Sequence, residues 1–145
     1  MYAIYKTPTT MPKEDYLLKC LEKLSRVITA MLGLRDKGFP EDALKLADET
    51  YKELLSIHLE DIKKTPSDEF IRIIKKENYT SAYIEALAII TKETAACFEQ
   101  KNNIENARIF NEKALLLYNL LNEKDKTFSF ERELIISELE NKLIM

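Results

Sequence analysis

The chain has 145 residues, with 22 basic and 25 acidic side chains and a formal net charge of −3 at pH 7. This length suits one domain with its own core, and the mild charge, without a cluster of basic and aromatic residues, argues against a nucleic-acid partner. No apolar run approaches the roughly 20 residues of a membrane span, so we expect a cytoplasmic protein with no membrane partner.

Residues 1–11 are predicted to form an N-terminal arm, because Pro8 interrupts them and they show no helical period. Residues 12–145 are predicted to form a single all-α domain of about six helices. Gly38 suits the left-handed residue that ends a first long helix, and Pro40 suits the first turn of the second. The connection is short, so these two helices are expected to pack antiparallel.

The segment after the second helix is predicted to hold one short helix. The helical pattern weakens at Leu59 and resumes at Thr65, which has the spacing of a capping box with Asp68, around Pro66. The apolar residues of the short helix that follows are Phe70, Ile71, Ile73 and Ile74.

Two longer helices are predicted next. Thr80 or Ser81 is expected to cap a fourth helix that ends near Gln100. The turn over residues 101–103 then leads into a fifth helix over residues 104–121.

The C-terminal segment is predicted to form a helix that caps the array, as the end of a repeat array generally requires. Polar residues 122–127 end the fifth helix, and Thr127 or Ser129 then starts the sixth. The residues expected to face inward are Phe130, Leu134, Ile135, Leu139 and Leu143.

The fourth and fifth helices carry small residues where two helices must approach closely. Ala95 and Phe98 precede the turn, Asn102 lies in it, and Ala107 and Ala114 follow it. This pattern resembles a tetratricopeptide-repeat (TPR) hairpin.

The first hairpin fits the same pattern less closely. Gly38 and Ala43 match it, whereas Met31 and Thr50 stand where the TPR motif has small residues. Ala43 and Ala107 are 64 residues apart (107 − 43), nearly twice the roughly 34-residue TPR period. An irregular short helix is therefore expected between the two hairpins.

The order of these motifs is similar to that of a family of small uncharacterised bacterial proteins with TPR-like folds. The resemblance covers residues 12–122. It rests on Asp15-Tyr16-Leu17-Leu18, Met31-Leu32-Gly33-Leu34-Arg35, the segment from Ala43 to Leu55 and the later alanine-rich hairpin. It implies TPR-like antiparallel hairpins and assigns no functional residues.

TPR modules that bind a partner's terminal carboxylate use Lys, Asn and Arg side chains on their first helices. The corresponding positions in this chain hold no asparagine, which argues against a carboxylate clamp. These positions are Ser25, Ile28, Leu32, Arg35 and Asp36, followed by Ile89, Lys92, Ala96, Glu99 and Gln100.

The chain offers few groups for catalysis. His58 is its only histidine and is expected to interact with the C-terminal end of a helix dipole. Cys20 and Cys97 are expected to be buried apolar residues, because nothing in the sequence places either beside His58. One histidine and two glycines cannot supply a histidine-rich metal site or a glycine-rich phosphate loop. We therefore predict no enzyme activity, no cofactor, and no catalytic, cofactor-binding or metal-binding residues.

The predicted function is a non-catalytic protein–protein interaction or scaffold module whose partner is an unidentified protein or peptide. Two alternatives stay open. The run from Leu115 to Tyr118 has more apolar residues than one buried stripe needs, which favours a homodimer, and the alanine-rich fourth helix could leave room for a small apolar ligand. An aromatic set is expected at the rim of the core, with partner contacts as the alternative: Tyr2, Tyr5, Tyr79, Tyr83, Phe128 and Phe130.

Overall fold

The computed structural model describes residues 13–144, without the side chains of residues 13, 14 and 17. The predicted arm over residues 1–11, with Tyr2 and Tyr5, lies outside the described residues. The described part has no strand, which confirms the all-α class. Its seven helices are α1 (Lys13–Asp36), α2 (Pro40–Leu55), α3 (Leu59–Lys64), α4 (Ser67–Lys76), α5 (Ser81–Gln100), α6 (Ile104–Lys124) and α7 (Phe130–Ile144).

Local residue types set the helix ends, as the sequence predicted. Gly38 and Asn102 have φ angles of 86° and 60°, so both turns use a left-handed residue. The hydroxyls of Thr80 and Ser129 each accept a hydrogen bond at 3.2 Å from the backbone N–H three residues further on. These caps satisfy backbone donors that a helix start leaves unpaired.

The segment between α2 and α4 contains a helix that the apolar pattern did not predict. In α3, Leu59 and Ile62 are buried on one side. The Asp48 carboxylate accepts the backbone N–H of Leu59 at 2.7 Å, which anchors the start of α3 to α2. The six-helix prediction is therefore one helix short.

The predicted capping box of α4 is wrong. Thr65 donates its hydroxyl hydrogen to the Asp61 carbonyl oxygen at 2.6 Å, so this hydroxyl closes the last turn of α3. Pro66 is the N-cap of α4 and provides no side-chain cap. Asp68 instead accepts the backbone N–H of Glu69 at 3.0 Å.

The antiparallel pair α5 and α6 forms the centre of the bundle and is its most extensive helix pairing. The α1–α2 pair packs on α5, and α7 packs on α6. The two short helices α3 and α4 lie against α6, and α3 also contacts α2. Ala107 and Ala114 are buried in α6, and their small side chains allow a close approach of the neighbouring helix.

The departures of the first hairpin from the TPR pattern are accommodated inside the core. Met31 is fully buried and fills apolar space. Thr50 is also buried, and its hydroxyl donates to the Leu46 carbonyl oxygen at 2.8 Å, so the polar group has a partner. A buried hydroxyl that is hydrogen-bonded costs far less than an unpaired one.

The run from Leu115 to Tyr118 lies within the bundle. Leu117 and Tyr118 are buried, Leu115 packs against the core, and Leu116 is half-buried. α6 contacts α3, α4, α5 and α7, so it needs apolar residues on more than one side. Contacts within the bundle therefore involve most of this run, and the homodimer stays an alternative prediction.

The orientation of α7 differs from the prediction. Leu139 is buried as expected, and Ile135 packs against the core. Phe130 and Leu134, however, are 68% and 55% exposed, so their predicted inward placement is wrong. The buried stripe passes instead through Arg132, a polar residue that a search for apolar periodicity overlooks.

Candidate partner-binding groove

The central helix α5 is buried on all sides except along one stripe. Residues at successive helical turns share this partly exposed side, because their spacing is three or four positions. The stripe includes Glu85, Ile89, Lys92, Glu93, Ala96 and Glu99. We call the depression above it the α5 groove, with this stripe as its floor.

Helix α1 forms one wall of the α5 groove. Arg35 and Glu93 form an ion pair across the two helices. Gln100 donates its amide hydrogen to the Arg35 carbonyl oxygen at 3.1 Å. Leu32, one turn before Arg35, is exposed, and Ile28 is half-buried.

Helix α7 forms the opposite wall. The Lys92 amine lies 4.0 Å from the Glu138 carboxylate, and the Lys142 amine lies 3.4 Å from the Glu99 carboxylate. The α5 positions that the sequence assigned to a groove, Ile89, Lys92, Ala96 and Glu99, thus lie together on its floor. Arg35 and Lys92 already face carboxylates, which adds a physical argument against a carboxylate clamp.

A cavity of about 280 Å³ opens from the groove between α5, α6 and α7. Apolar, acidic and basic side chains all contribute to its wall. The residues that line it are Glu85, Ile89, Lys92, Glu93, Tyr118, Ser129, Glu131, Arg132 and Ile135.

Tyr118 reaches this cavity from α6. Its side chain is only 1% exposed, and its hydroxyl makes no hydrogen bond to any residue that the structure describes. Burial, followed by the nearby carboxylates of Glu85 and Glu131, raises the pKa of Tyr118 to about 12. The hydroxyl is therefore neutral at pH 7 and can accept or donate a hydrogen bond.

Arg132 closes another side of the cavity and is 7% exposed. It donates from Nη1 to the Asn122 side-chain oxygen at 3.0 Å and from Nη2 to the Asp125 carboxylate at 3.1 Å. Its Nε has no hydrogen-bond partner. Asp125 balances the charge of this guanidinium, which a buried position requires.

The Asp125 carboxylate should make stability depend on acid pH. A hydrogen bond from the Thr127 backbone, followed by one from Arg132, lowers the pKa of Asp125 from its ordinary value of 3.8. A carboxyl group with a lowered folded-state pKa stabilises the fold above its ordinary pKa, and this contribution is lost as pH falls through the folded value. We expect the melting temperature of the wild type to fall more steeply below about pH 4 than that of Asp125→Asn.

Thermal unfolding followed by circular dichroism between pH 2 and pH 7 would measure this difference. Melting curves at about two pH values per pH unit are sufficient. Asp36→Asn is a matched control, because Asp36 is exposed at the end of α1. Parallel pH profiles for the wild type and Asp125→Asn would contradict the prediction.

His58 does not occupy the helix end that the sequence predicted. α2 ends at Leu55, and His58 is the residue immediately before α3. Its Nδ1 lies 3.4 Å from the Asp48 carboxylate on the protein surface. The dipole prediction is therefore wrong, because an unforeseen helix begins at the next residue.

The two cysteines are buried and form no disulfide. Burial, with a smaller effect of Glu93, raises the pKa of the Cys97 thiol to about 11. A protonated, fully buried thiol is a poor nucleophile. His58 is exposed and contacts Asp48, so the structure does not bring it together with Cys97.

Within residues 13–144, no three His, Cys, Asp or Glu side chains come together in a group that could hold a metal ion. In the same range, no helix combines the length and the apolar character that a membrane crossing needs.

The predicted aromatic set divides into two groups. Tyr79 and Tyr83 stack with ring centroids 4.3 Å apart, and Tyr83 is buried, so these two belong to the rim of the core. Phe128 and Phe130 are instead exposed, on either side of the cavity residue Ser129. Exposed aromatic side chains beside a cavity are typical of partner contacts.

Two alanines of α5 lie in the interior of the bundle. Ala88 and Ala95 are fully buried, and neither lines the cavity between α5, α6 and α7. An apolar cavity of about 190 Å³ lies elsewhere, beside Leu55, Ile73 and Tyr79. Close helix packing accounts for these two alanines, and the small apolar ligand stays an alternative prediction.

Comparisons of the chain with protein-family models, with curated proteins and with solved structures find no match.

Proposed function

We propose that this protein is a non-catalytic interaction module that binds a segment of another protein in the α5 groove. The observation that carries this proposal is the single exposed stripe of a central helix, enclosed by α1 on one side and α7 on the other. A groove whose floor and walls belong to packed helices is preorganised, so the binding of a partner costs little conformational entropy in the groove. A TPR-like stacking of the two hairpins would give the groove this form.

The composition of the groove supports the same proposal. Its floor combines apolar Ile89 and Ala96 with charged side chains, of which Lys92, Glu93 and Glu99 already have partners across the walls. Such a mixture of apolar and polar surface is typical of interfaces between proteins that also exist apart. A segment in the groove could bury the apolar floor without leaving the wall charges unpaired.

The test compares one groove variant with one matched surface variant. Charge reversals at Lys92 or Glu99 would also break the ion pairs to α7, so Ala96→Arg is a cleaner choice. Ala96 lies toward the C-terminal end of the floor and is half-buried. Its replacement places a long cation in the groove, and such a side chain can extend its charge into water without unfolding α5.

The matched control is Ala30→Arg in α1. Ala30 is exposed and lies two positions from Ile28, about 200° round the helix and away from the groove. Each purified protein would capture partners from a lysate of its source cells, with identification by mass spectrometry. We expect the wild type and Ala30→Arg to capture the same partner in similar amounts. Ala96→Arg should capture about tenfold less of it, or an even smaller amount. Equal capture by the two variants would contradict the groove as the binding site.

A further inference from the structure

The charges around the α5–α7 cavity do not balance. Two carboxylates, those of Glu85 and Glu131, form no ion pair with any residue between 13 and 144. Both belong to exposed residues at the cavity, one on α5 and one on α7. The other charged lining residues have partners outside the cavity: Glu93 has Arg35, Lys92 has Glu138, and Arg132 has Asp125.

The buried wall of the cavity offers a matching polar group. The Tyr118 hydroxyl is near both unpaired carboxylates and has no hydrogen bond within the described part of the protein. The hydroxyl oxygen is not fully buried, so an occupant of the cavity can reach it and replace water as its hydrogen-bond partner. The side chains of Ile89 and Ile135 add apolar surface beside these groups.

We propose that this cavity binds the guanidinium of an arginine side chain that belongs to the partner segment. This inference rests on the proposed function, since it names the chemistry that the groove recognises. A guanidinium has five N–H donors in a planar fork, which can serve two carboxylates and a hydroxyl together. The aliphatic part of the arginine would lie against the two isoleucines.

The size of the cavity agrees with a single side chain. A volume of about 280 Å³ is just below the range of roughly 300–1,000 Å³ that drug-sized ligands occupy. Arg132 does not oppose a second guanidinium, because Asp125 neutralises it and its unpaired Nε is inaccessible to water. An anionic occupant would instead face two uncompensated carboxylates.

The test is an NMR titration of the full-length, isotope-labelled protein with N-acetyl-arginine amide. N-acetyl-citrulline amide has the same shape without the charge and serves as the control probe. We expect arginine-dependent shifts at the amides of Glu85, Ile89, Glu131 and Ile135, and binding of the citrulline probe weaker by about tenfold or more. Equal binding of the two probes, or shifts confined to other residues, would overturn the proposal.

Two variants assign the contacts. Glu85→Gln combined with Glu131→Gln should weaken arginine binding by at least about tenfold. The control is Glu49→Gln combined with Glu140→Gln, which makes the same charge change at exposed sites elsewhere and should not weaken binding. Tyr118→Phe should also weaken binding while the melting temperature is maintained, because no internal hydrogen bond is lost. Unchanged affinity in both cavity variants would overturn the proposal.

Further measurements distinguish this inference from the proposed function. If unblocked arginine binds about tenfold tighter than the blocked probe, the cavity recognises a free small molecule. That result would overturn the proposal that the occupant is a side chain of a partner segment. Tighter binding of N-acetyl-aspartate amide than of the arginine probe would overturn the proposal that the occupant is a cation. If the arginine titration fails while Ala96→Arg still loses a captured partner, the interaction module stands and only the arginine assignment is wrong.

Discussion

Replacing Phe110 by alanine is expected to lower the free energy of unfolding by about 3–5 kcal/mol. Phe110 is fully buried in α6, the helix that contacts four others. Its ring packs on Phe98 with centroids 5.6 Å apart, directly across the turn between α5 and α6. The substitution would leave a cavity at this junction, and rigid helices on several sides would prevent it from closing.

Chemical unfolding followed by circular dichroism would measure this loss. Phe128→Ala is the matched control, because the same side chain is removed from a position that is 75% exposed. We expect the control to change stability by no more than about 0.5 kcal/mol. Similar losses for the two variants would show that Phe110 is not part of the core.

Replacing Ala107 by leucine is expected to cost about 1–3 kcal/mol. Ala107 is buried in the first half of α6, in the most extensive helix pairing of the bundle. A larger side chain there must separate the two helices or adopt a strained rotamer. Ala82→Leu, at an exposed position in α5, is the control for the change of residue type.

Thermal unfolding would compare the two leucine variants. The buried substitution should lower the melting temperature, and the exposed one should leave it nearly unchanged. An unchanged melting temperature for Ala107→Leu would mean that the predicted close contact between α5 and α6 is wrong.

Helix ends could be predicted from the sequence because capping is local. Gly38 and Asn102 adopt left-handed backbone, and Thr80 and Ser129 accept hydrogen bonds from nearby N–H groups. Each of these interactions involves residues a few positions apart. Their outcome therefore depends little on the rest of the fold.

Helix α3 was missed because six residues give fewer than two turns of periodicity. Signals were present: Leu59 and Ile62 have helical spacing, and acidic residues precede Lys63 and Lys64 as the helix dipole favours. The hydrogen bond that anchors α3 joins the Leu59 backbone N–H to the Asp48 carboxylate, eleven residues earlier. A local pattern does not reveal such a contact.

The orientation of α7 depends on contacts outside its own sequence. Arg132 can lie on the buried side because Asn122 and Asp125, on the preceding helix and loop, satisfy its guanidinium. Apolar periodicity alone favoured Phe130 and Leu134, which are exposed. A buried polar residue is predictable only when its partners are known.

The groove was partly predictable and its cavity was not. Spacing along α5 placed Ile89, Lys92 and Ala96 on one side, and they share the groove floor. The cavity groups Glu85, Tyr118 and Glu131 come from three helices, so only the packing of these helices brings them together. The position of Tyr118 in an apolar run pointed to the core and gave no sign of its polar surroundings.

The most direct measurement is a selection of random peptides, displayed on phage, against the full-length protein. We expect the selected peptides to share an arginine and to bind about tenfold more weakly to Ala96→Arg and to Glu85→Gln combined with Glu131→Gln. Their affinity for Ala30→Arg should equal that for the wild type. Selected peptides without a basic residue, or with equal affinity for all of these variants, would contradict arginine recognition in the α5 groove.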